Sequence, residues 1–223
     1  TCFNIILGCN AGAALNAGDH NILLGCHSGK SITSGLYNIT FGRRAGCDID
    51  TGSNNILFGN SNGIALTGGS KNIFFGNGIA QSSTGAMCNI IMGSEAGYNL
   101  GTACHNIVLG AQAGCDITTG GCNVFFAPLA GGNVTSGSSN IALGCNAMGT
   151  GTVTGNCNIA LGAQAGTNIS SGQYNVFFGK YAGHGNTSGH CNIAIGCNAG
   201  KGITTATENI SIGGLGLQQA AGN

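Results

Sequence analysis

The stretch NIALGAQAGTNISSGQYNVFFGKYAG, residues Asn158–Gly183, contains one pattern twice. Its opening NIALG returns 17 residues later as NVFFG, and its AQAG returns as KYAG. A fixed period indicates a repeat architecture, in which each unit packs against its neighbours. A period of 17 is too short for a pair of helices. Two runs of β-type residues, each followed by a glycine-rich turn, fit it better.

The same pattern extends over the chain, and the asparagine that opens each unit marks it. This asparagine occupies thirteen sites: Asn4, Asn21, Asn38, Asn55, Asn72, Asn89, Asn106, Asn123, Asn140, Asn158, Asn175, Asn192 and Asn209. Each step is 17 residues except one of 18 between Asn140 and Asn158, and we expect the extra residue near Met148. The consensus N-I-x-Φ-G-x-x-A-G-x-x-I-T-T-G-x-x, with Φ a large apolar residue, defines positions 1 to 17.

These features predict an all-β protein, a β-solenoid (parallel β-helix or β-roll) of thirteen 17-residue coils. Successive coils would stack as parallel, in-register strands about 4.8 Å apart. We expect a single repeat domain over residues 1–223, without a cap at either end.

The asparagine at position 1 is predicted to be structural. A buried amide is costly unless it is hydrogen-bonded, and a column of stacked asparagines can bond from coil to coil. Two of the five N-x-S/T sequons, at Asn38 and Asn209, use ladder asparagines and should be inaccessible. The other three, at Asn133, Asn168 and Asn186, are candidate glycan acceptors in a host that has the machinery.

Position 3 is predicted to be a self-assembly face. If positions 2 and 4 point into the coil, position 3 points out, because side chains alternate along a strand. Eight of its residues are large and apolar: Ile6, Leu23, Leu57, Phe74, Ile91, Val108, Phe125 and Phe177. A soluble monomer rarely exposes such a stripe. We expect it to pack on other copies of the chain, in a homotrimer or a paired or bundled filament, or to be covered by a segment outside this chain. The uncapped ends predict a head-to-tail filament, unless other domains continue the rod.

The cysteines offer one candidate disulfide. Cys9 and Cys26 share position 6 of adjacent coils, where a Cα spacing of about 4.8 Å is inside the disulfide range. Free thiols are favoured for most of the twelve cysteines. No C-x-x-C motif is present and the five histidines are scattered, so neither a metal site nor a cofactor is predicted.

Charge and composition exclude several classes of function. Six basic and six acidic residues are scattered along the chain, so no basic stripe is available for nucleic acid. No apolar run reaches the length of a membrane span. The dispersed acids and histidines form no catalytic set, and an acyltransferase of the hexapeptide-repeat type fits poorly because the six-residue phase is lost. We therefore predict no enzymatic activity.

The segment NIALGAQAG followed by TNISSGQYN resembles repeats of the N-x-x-x-G-x-x-A-G-x-x-x-T-T-G type. Such repeats occur in tail-fibre and related structural proteins of bacteriophages, particularly marine phages. The chain is more distantly similar to the β-roll heads of trimeric autotransporter adhesins, which use shorter repeats. The resemblance covers the whole chain. It implies a homotrimeric fibre at the virion surface or outside the cell, whose partners are itself and a host-surface glycan or another surface.

The sequence thus favours a non-catalytic structural fibre that self-assembles into a virus tail-fibre shaft, an extracellular filament or an adhesin. The alternative is an ice- or surface-binding solenoid that presents its threonines and serines at positions 13 and 14 as an array. Turn-capping hydroxyls explain those residues with fewer assumptions.

Overall fold

The computed structural model describes residues 3–214, in which the regular secondary structure is entirely β. The chain forms two compact units, Thr1–Ala111 (unit 1) and Gln112–Asn223 (unit 2). That the repeat makes a single domain stays a prediction.

Each coil opens with one three-residue strand. Unit 1 contains β1 (Ile5–Leu7), β2 (Ile22–Leu24), β3 (Ile39–Phe41), β4 (Ile56–Phe58), β5 (Ile73–Phe75), β6 (Ile90–Met92) and β7 (Ile107–Leu109). Unit 2 contains β8 (Val124–Phe126), β9 (Ile141–Leu143), β10 (Ile159–Leu161), β11 (Val176–Phe178), β12 (Ile193–Ile195) and β13 (Ile210–Ile212). Within each unit, consecutive strands pair in parallel and in register. The β-solenoid predicted from the repeat is confirmed.

Tight corners on both sides of the strand close the coil. The position 5 glycines have a positive φ, and a Cβ on Gly42 would lie 2.2 Å from the carbonyl oxygen of Gly59 in the next coil. Position 17, just before the asparagine, is also left-handed although it is never glycine, as at Tyr37 with φ 56°. Because a left-handed residue other than glycine is strained, the coil stacking must offset that strain.

The interior of each coil is filled mainly from positions 3, 8 and 12. At position 3, Leu23, Leu57, Phe74, Ile91, Val108 and Phe125 are fully buried and Phe177 is 1% exposed, while Ile6 in the first described coil is 42% exposed. The prediction that position 3 faces outward was wrong, and so was its assignment as a self-assembly face. The buried asparagine at position 1 shows which face of the strand is buried, because alternation puts position 3 on the same side as position 1.

The 18-residue coil keeps its corner at position 9 and accommodates the extra residue after it. Met148 takes the place of the corner glycine at position 9, with φ 50° and a fully buried side chain. Its amide donates to the Ala165 carbonyl (3.0 Å), as the Gly166 amide does to Ala182. The extra residue therefore lies beyond Met148, before the buried Val153, which bridges to Val134.

Candidate functional site

The asparagine ladder predicted for position 1 is present in both units. In a central coil, Asn55 Nδ2 donates to Asn38 Oδ1 (3.0 Å) in the coil before it and to the Gly69 carbonyl (2.9 Å) in its own coil. Asn55 Oδ1 accepts from the backbone N–H (3.1 Å) and the Nδ2 (3.1 Å) of Asn72. One side chain thus closes its own coil and joins it to both neighbours. The ladder is structural machinery, and it lies inside the coil.

The outer face of the strands is the candidate functional surface. It consists of the residues at positions 2 and 4, which alternation turns away from the core. In unit 1 these are Ile5, Leu7, Ile22, Leu24, Ile39, Phe41, Ile56, Phe58, Ile73, Phe75, Ile90, Met92, Ile107 and Leu109. In unit 2 they are Val124, Phe126, Ile141, Leu143, Ile159, Leu161, Val176, Phe178, Ile193, Ile195, Ile210 and Ile212. All are large and apolar, and none is buried.

The exposure of this outer face is substantial. Phe126 and Phe178 are each 55% exposed, and Phe41 is 46% exposed. A solvent-facing strand face ordinarily carries polar residues in alternation with the buried ones, whereas strands covered on both sides lose that alternation. No Asp, Glu, Lys or Arg occurs at positions 2 to 4 of any coil. The outer face therefore has the composition that is typical of a strand face with a cover.

Stacked aromatic rings run along part of this face. Phe41 and Phe58 stack with ring centroids 4.6 Å apart, and Phe58 and Phe75 with centroids 5.0 Å apart. The interplanar angles are 11° and 6°. In-register strands bring identical side chains directly above one another, and such ladders are favourable contacts between coils. The three rings form one continuous column.

The threonines at position 13 bond from coil to coil. The hydroxyls of Thr67, Thr118 and Thr187 each donate to the position 13 carbonyl of the following coil, at 3.1, 3.1 and 3.2 Å. These hydroxyls serve the stacking of the solenoid. The ice-binding alternative stays a prediction.

The structure places the remaining candidate residues as follows. Cys9 and Cys26 are both free thiols. Asn186 is fully buried, so its prediction as a glycan acceptor was wrong. Residues 3–214 hold no group of three or more His, Cys, Asp or Glu side chains arranged to bind a metal ion. Within the same residues, no helix has the length and apolar character that crossing a membrane requires.

Comparison with protein-family models, curated proteins and solved structures gives no match for this chain. Function is therefore argued from the outer face itself. Sequence reasoning missed this face because positions 2, 3 and 4 are nearly all apolar, which hides the alternation. The signal that could have found it is the asparagine at position 1: a buried position 1 requires a buried position 3 and an exposed position 2.

Proposed function

We propose that this protein is a non-catalytic structural protein whose solenoid packs side by side with further copies of itself through the outer face. The observation that carries the proposal is that every residue at positions 2 and 4, from β1 to β13, is large, apolar and accessible. Exposed apolar patches beyond a few hundred Å² mark interaction sites in soluble proteins.

The size of the face fits a stable interface. In unit 1, two side chains from each of seven strands contribute to it. Side chains of this size and exposure present on the order of 1,000 Å², which exceeds the roughly 800 Å² that each partner buries in a standard interface. Covering such a surface removes apolar area from water and so favours association, against the loss of translational and rotational freedom on binding.

A second copy of the chain is the occupant that the geometry favours. The face is a ladder with a repeat of about 4.8 Å, and only another ladder with the same repeat can match it coil for coil. Two such faces can pack about 10 Å apart with interdigitating side chains, as in the dry interface between paired sheets. Because the face carries no charge, self-contact places no like charges opposite one another.

The setting we propose is a fibre at the surface of a virion or outside the cell, in the form of a tail-fibre shaft, a filament or an adhesin. The resemblance to phage tail-fibre repeats supports this setting, as does the near absence of charged side chains. A homotrimer around the outer face is the closed form of this assembly, and a bundled filament is the open form.

The test is the mass of the purified chain in solution, measured by light scattering across a range of concentrations. We expect a multiple of the 21.9 kDa chain mass. The variant Phe41→Thr/Phe58→Thr/Phe75→Thr should dissociate to monomer while its circular dichroism is retained.

The matched control replaces two exposed apolar residues that lie off the face, Leu36→Ser with Tyr37→Asn, which copies Ser53 and Asn54 of the next coil. It should assemble like the wild type. A wild-type chain that stays monomeric at high concentration, or a control that dissociates as readily as the triple variant, would overturn the proposal.

A further inference from the structure

One pair of cysteines lies in a geometry that fits a soft metal ion better than a disulfide. Cys9 and Cys26 occupy position 6 of adjacent coils, and in the described residues no other two cysteines share one position in consecutive coils. Backbone bonds fix the stacking on both sides of Cys26: the Gly25 amide donates to the Leu7 carbonyl (2.8 Å), and the His27 amide donates to the Cys9 carbonyl (2.8 Å).

The coil spacing disfavours a disulfide between these residues. In-register side chains of adjacent coils run parallel and about 4.8 Å apart. A disulfide requires Cβ atoms about 3.5–4.5 Å apart and a sulfur–sulfur bond of about 2.05 Å, so both side chains would have to tilt together. Both residues are free thiols in the structure, in line with this geometry.

The same spacing matches an ion held between two sulfurs. Two collinear metal–sulfur bonds of about 2.3 Å, a length typical of thiolate–zinc bonds, span about 4.6 Å. The two side chains project at right angles to the direction in which the coils stack, and the ion lies between their sulfurs along that direction. The Cβ–Sγ–metal angle at each sulfur is therefore bent. Thiolates select soft ions such as copper(I).

A histidine and an asparagine beside the pair hold the sulfur of Cys26 in place. The Nδ2 of Asn10 lies 3.3 Å from Nε2 of His27. An amide nitrogen can only donate, so Nε2 accepts, and the proton of the neutral ring is on Nδ1. Nδ1 lies 3.4 Å from Cys26 Sγ. From there it donates to the sulfur and orients it.

We propose that Cys9 and Cys26 form a two-coordinate site for a soft, singly charged metal ion of the copper(I) class, with His27 as a positioning residue. Binding replaces two S–H protons by one ion: two thiols and one copper(I) give a bis-thiolate complex and two released protons, with no electron transferred. Because Cys9 is exposed and Cys26 is half-buried, an ion can enter from solvent. The site does not depend on the proposed assembly, since both sulfurs belong to one chain.

The first test titrates the reduced full-length chain, without oxygen, with copper(I) supplied as its bicinchoninate complex. The chain should take one copper(I) ion from the complex. Its affinity for this ion should be at least about 100-fold higher than that of the remaining thiols, since two ligands act at one site. Cys9→Ser and Cys26→Ser should each abolish this tight binding. Both variants are expected to fold, because Ser94 occupies position 6 in another coil.

The matched control is Cys145→Ser, which removes an exposed position 6 cysteine with no cysteine in the adjacent coils. It should bind copper(I) like the wild type, and an equal loss in this control would overturn the proposal. X-ray absorption should show two sulfur neighbours and no third ligand, so a three-coordinate ion would also overturn it.

A second variant tests the positioning role of His27. His27→Leu places at position 7 the residue that Leu129 provides in another coil, with the same left-handed backbone. We expect copper(I) affinity to fall about ten-fold, the lower end of the range for outer-shell partners of metal ligands. Unchanged affinity would remove His27 from the site.

Discussion

Two buried asparagines in this molecule differ in whether their side chains are hydrogen-bonded. Asn55, on the ladder in unit 1, uses its amide nitrogen and oxygen to bond three other residues. Asn186, at position 12 in unit 2, is equally buried, yet neither its Oδ1 nor its Nδ2 has a hydrogen-bond partner among the described residues. The coils on either side of Asn186 carry isoleucine at its position, Ile169 and Ile203.

The difference shows that the column, and not the residue type, decides whether a buried amide stabilises a solenoid. At position 1 the side-chain oxygen of each asparagine accepts hydrogen bonds from the asparagine of the next coil. Because the coils repeat, each of these amides has partners. At position 12 the neighbours are hydrocarbon, and an unpaired buried amide costs free energy. The same substitution, Asn→Leu, should therefore have opposite signs at the two sites.

The largest effect is expected for Asn55→Leu. The change removes the hydrogen bonds that the Asn55 side chain forms with the backbone N–H of Asn72 and with the carbonyl of Gly69. Each buried polar group left without a hydrogen bond costs about 1–3 kcal/mol, so the free energy of unfolding should fall by about 3–5 kcal/mol. Urea denaturation measures it. A loss below about 1 kcal/mol would contradict the role of the ladder.

Next in size is Asn186→Leu, which should stabilise the protein. Position 12 accepts leucine elsewhere, at the fully buried Leu66 and Leu100. Removing an unpaired buried amide should raise the free energy of unfolding by about 1–3 kcal/mol. The measurement is the urea midpoint, with Thr187→Ser, an exposed change beside it, as the control. Destabilisation would show that a partner of Asn186 has been missed.

A smaller effect sharpens the same comparison in the core of unit 1, where two polar side chains satisfy each other. Ser28 Oγ lies 2.6 Å from Thr40 Oγ1 and also donates to the Thr40 carbonyl (3.0 Å), and both residues are fully buried. Ser28→Ala and Thr40→Val should each cost about 1 kcal/mol, whereas the double variant should cost little more than either one. Strictly additive losses in a double-mutant cycle would contradict a mutual bond.

The smallest effect is a pH dependence in unit 2. Partial burial, and then repulsion from Lys201, lower the pKa of His184 below its ordinary value. The unfolded chain then binds the proton more tightly, so stability is full above about pH 6.5 and falls as the pH drops through that value. His184→Gln, which copies Gln81 at position 10, should reduce the difference in urea midpoint between pH 7.5 and pH 5.5. An unchanged difference would assign the pH dependence to other groups.

Much of the fold could be predicted from the sequence because the repeat is so regular. The coil length and the asparagine ladder follow from the recurrence of Asn at position 1 and Gly at position 5. The extra residue was predicted near Met148, and it lies between Met148 and Val153. Its exact place was hidden because Met148 adopts a left-handed conformation that sequence rules reserve for glycine. The candidate face was assigned to the wrong side of the strand for a different reason, which is the lack of polar residues at positions 2 to 4.

The sequence by itself determined the period, the parallel in-register stacking and the chemistry of the asparagine column, since each depends on residues that recur every coil. Only the tertiary structure decided which apolar positions are buried. A three-residue strand such as Ile56–Phe58 has no polar side to mark its exterior. The hydrogen bond from the position 1 amide to the position 15 carbonyl closes the coil, as from Asn55 to Gly69, and this closure turns position 3 inward and leaves positions 2 and 4 outside.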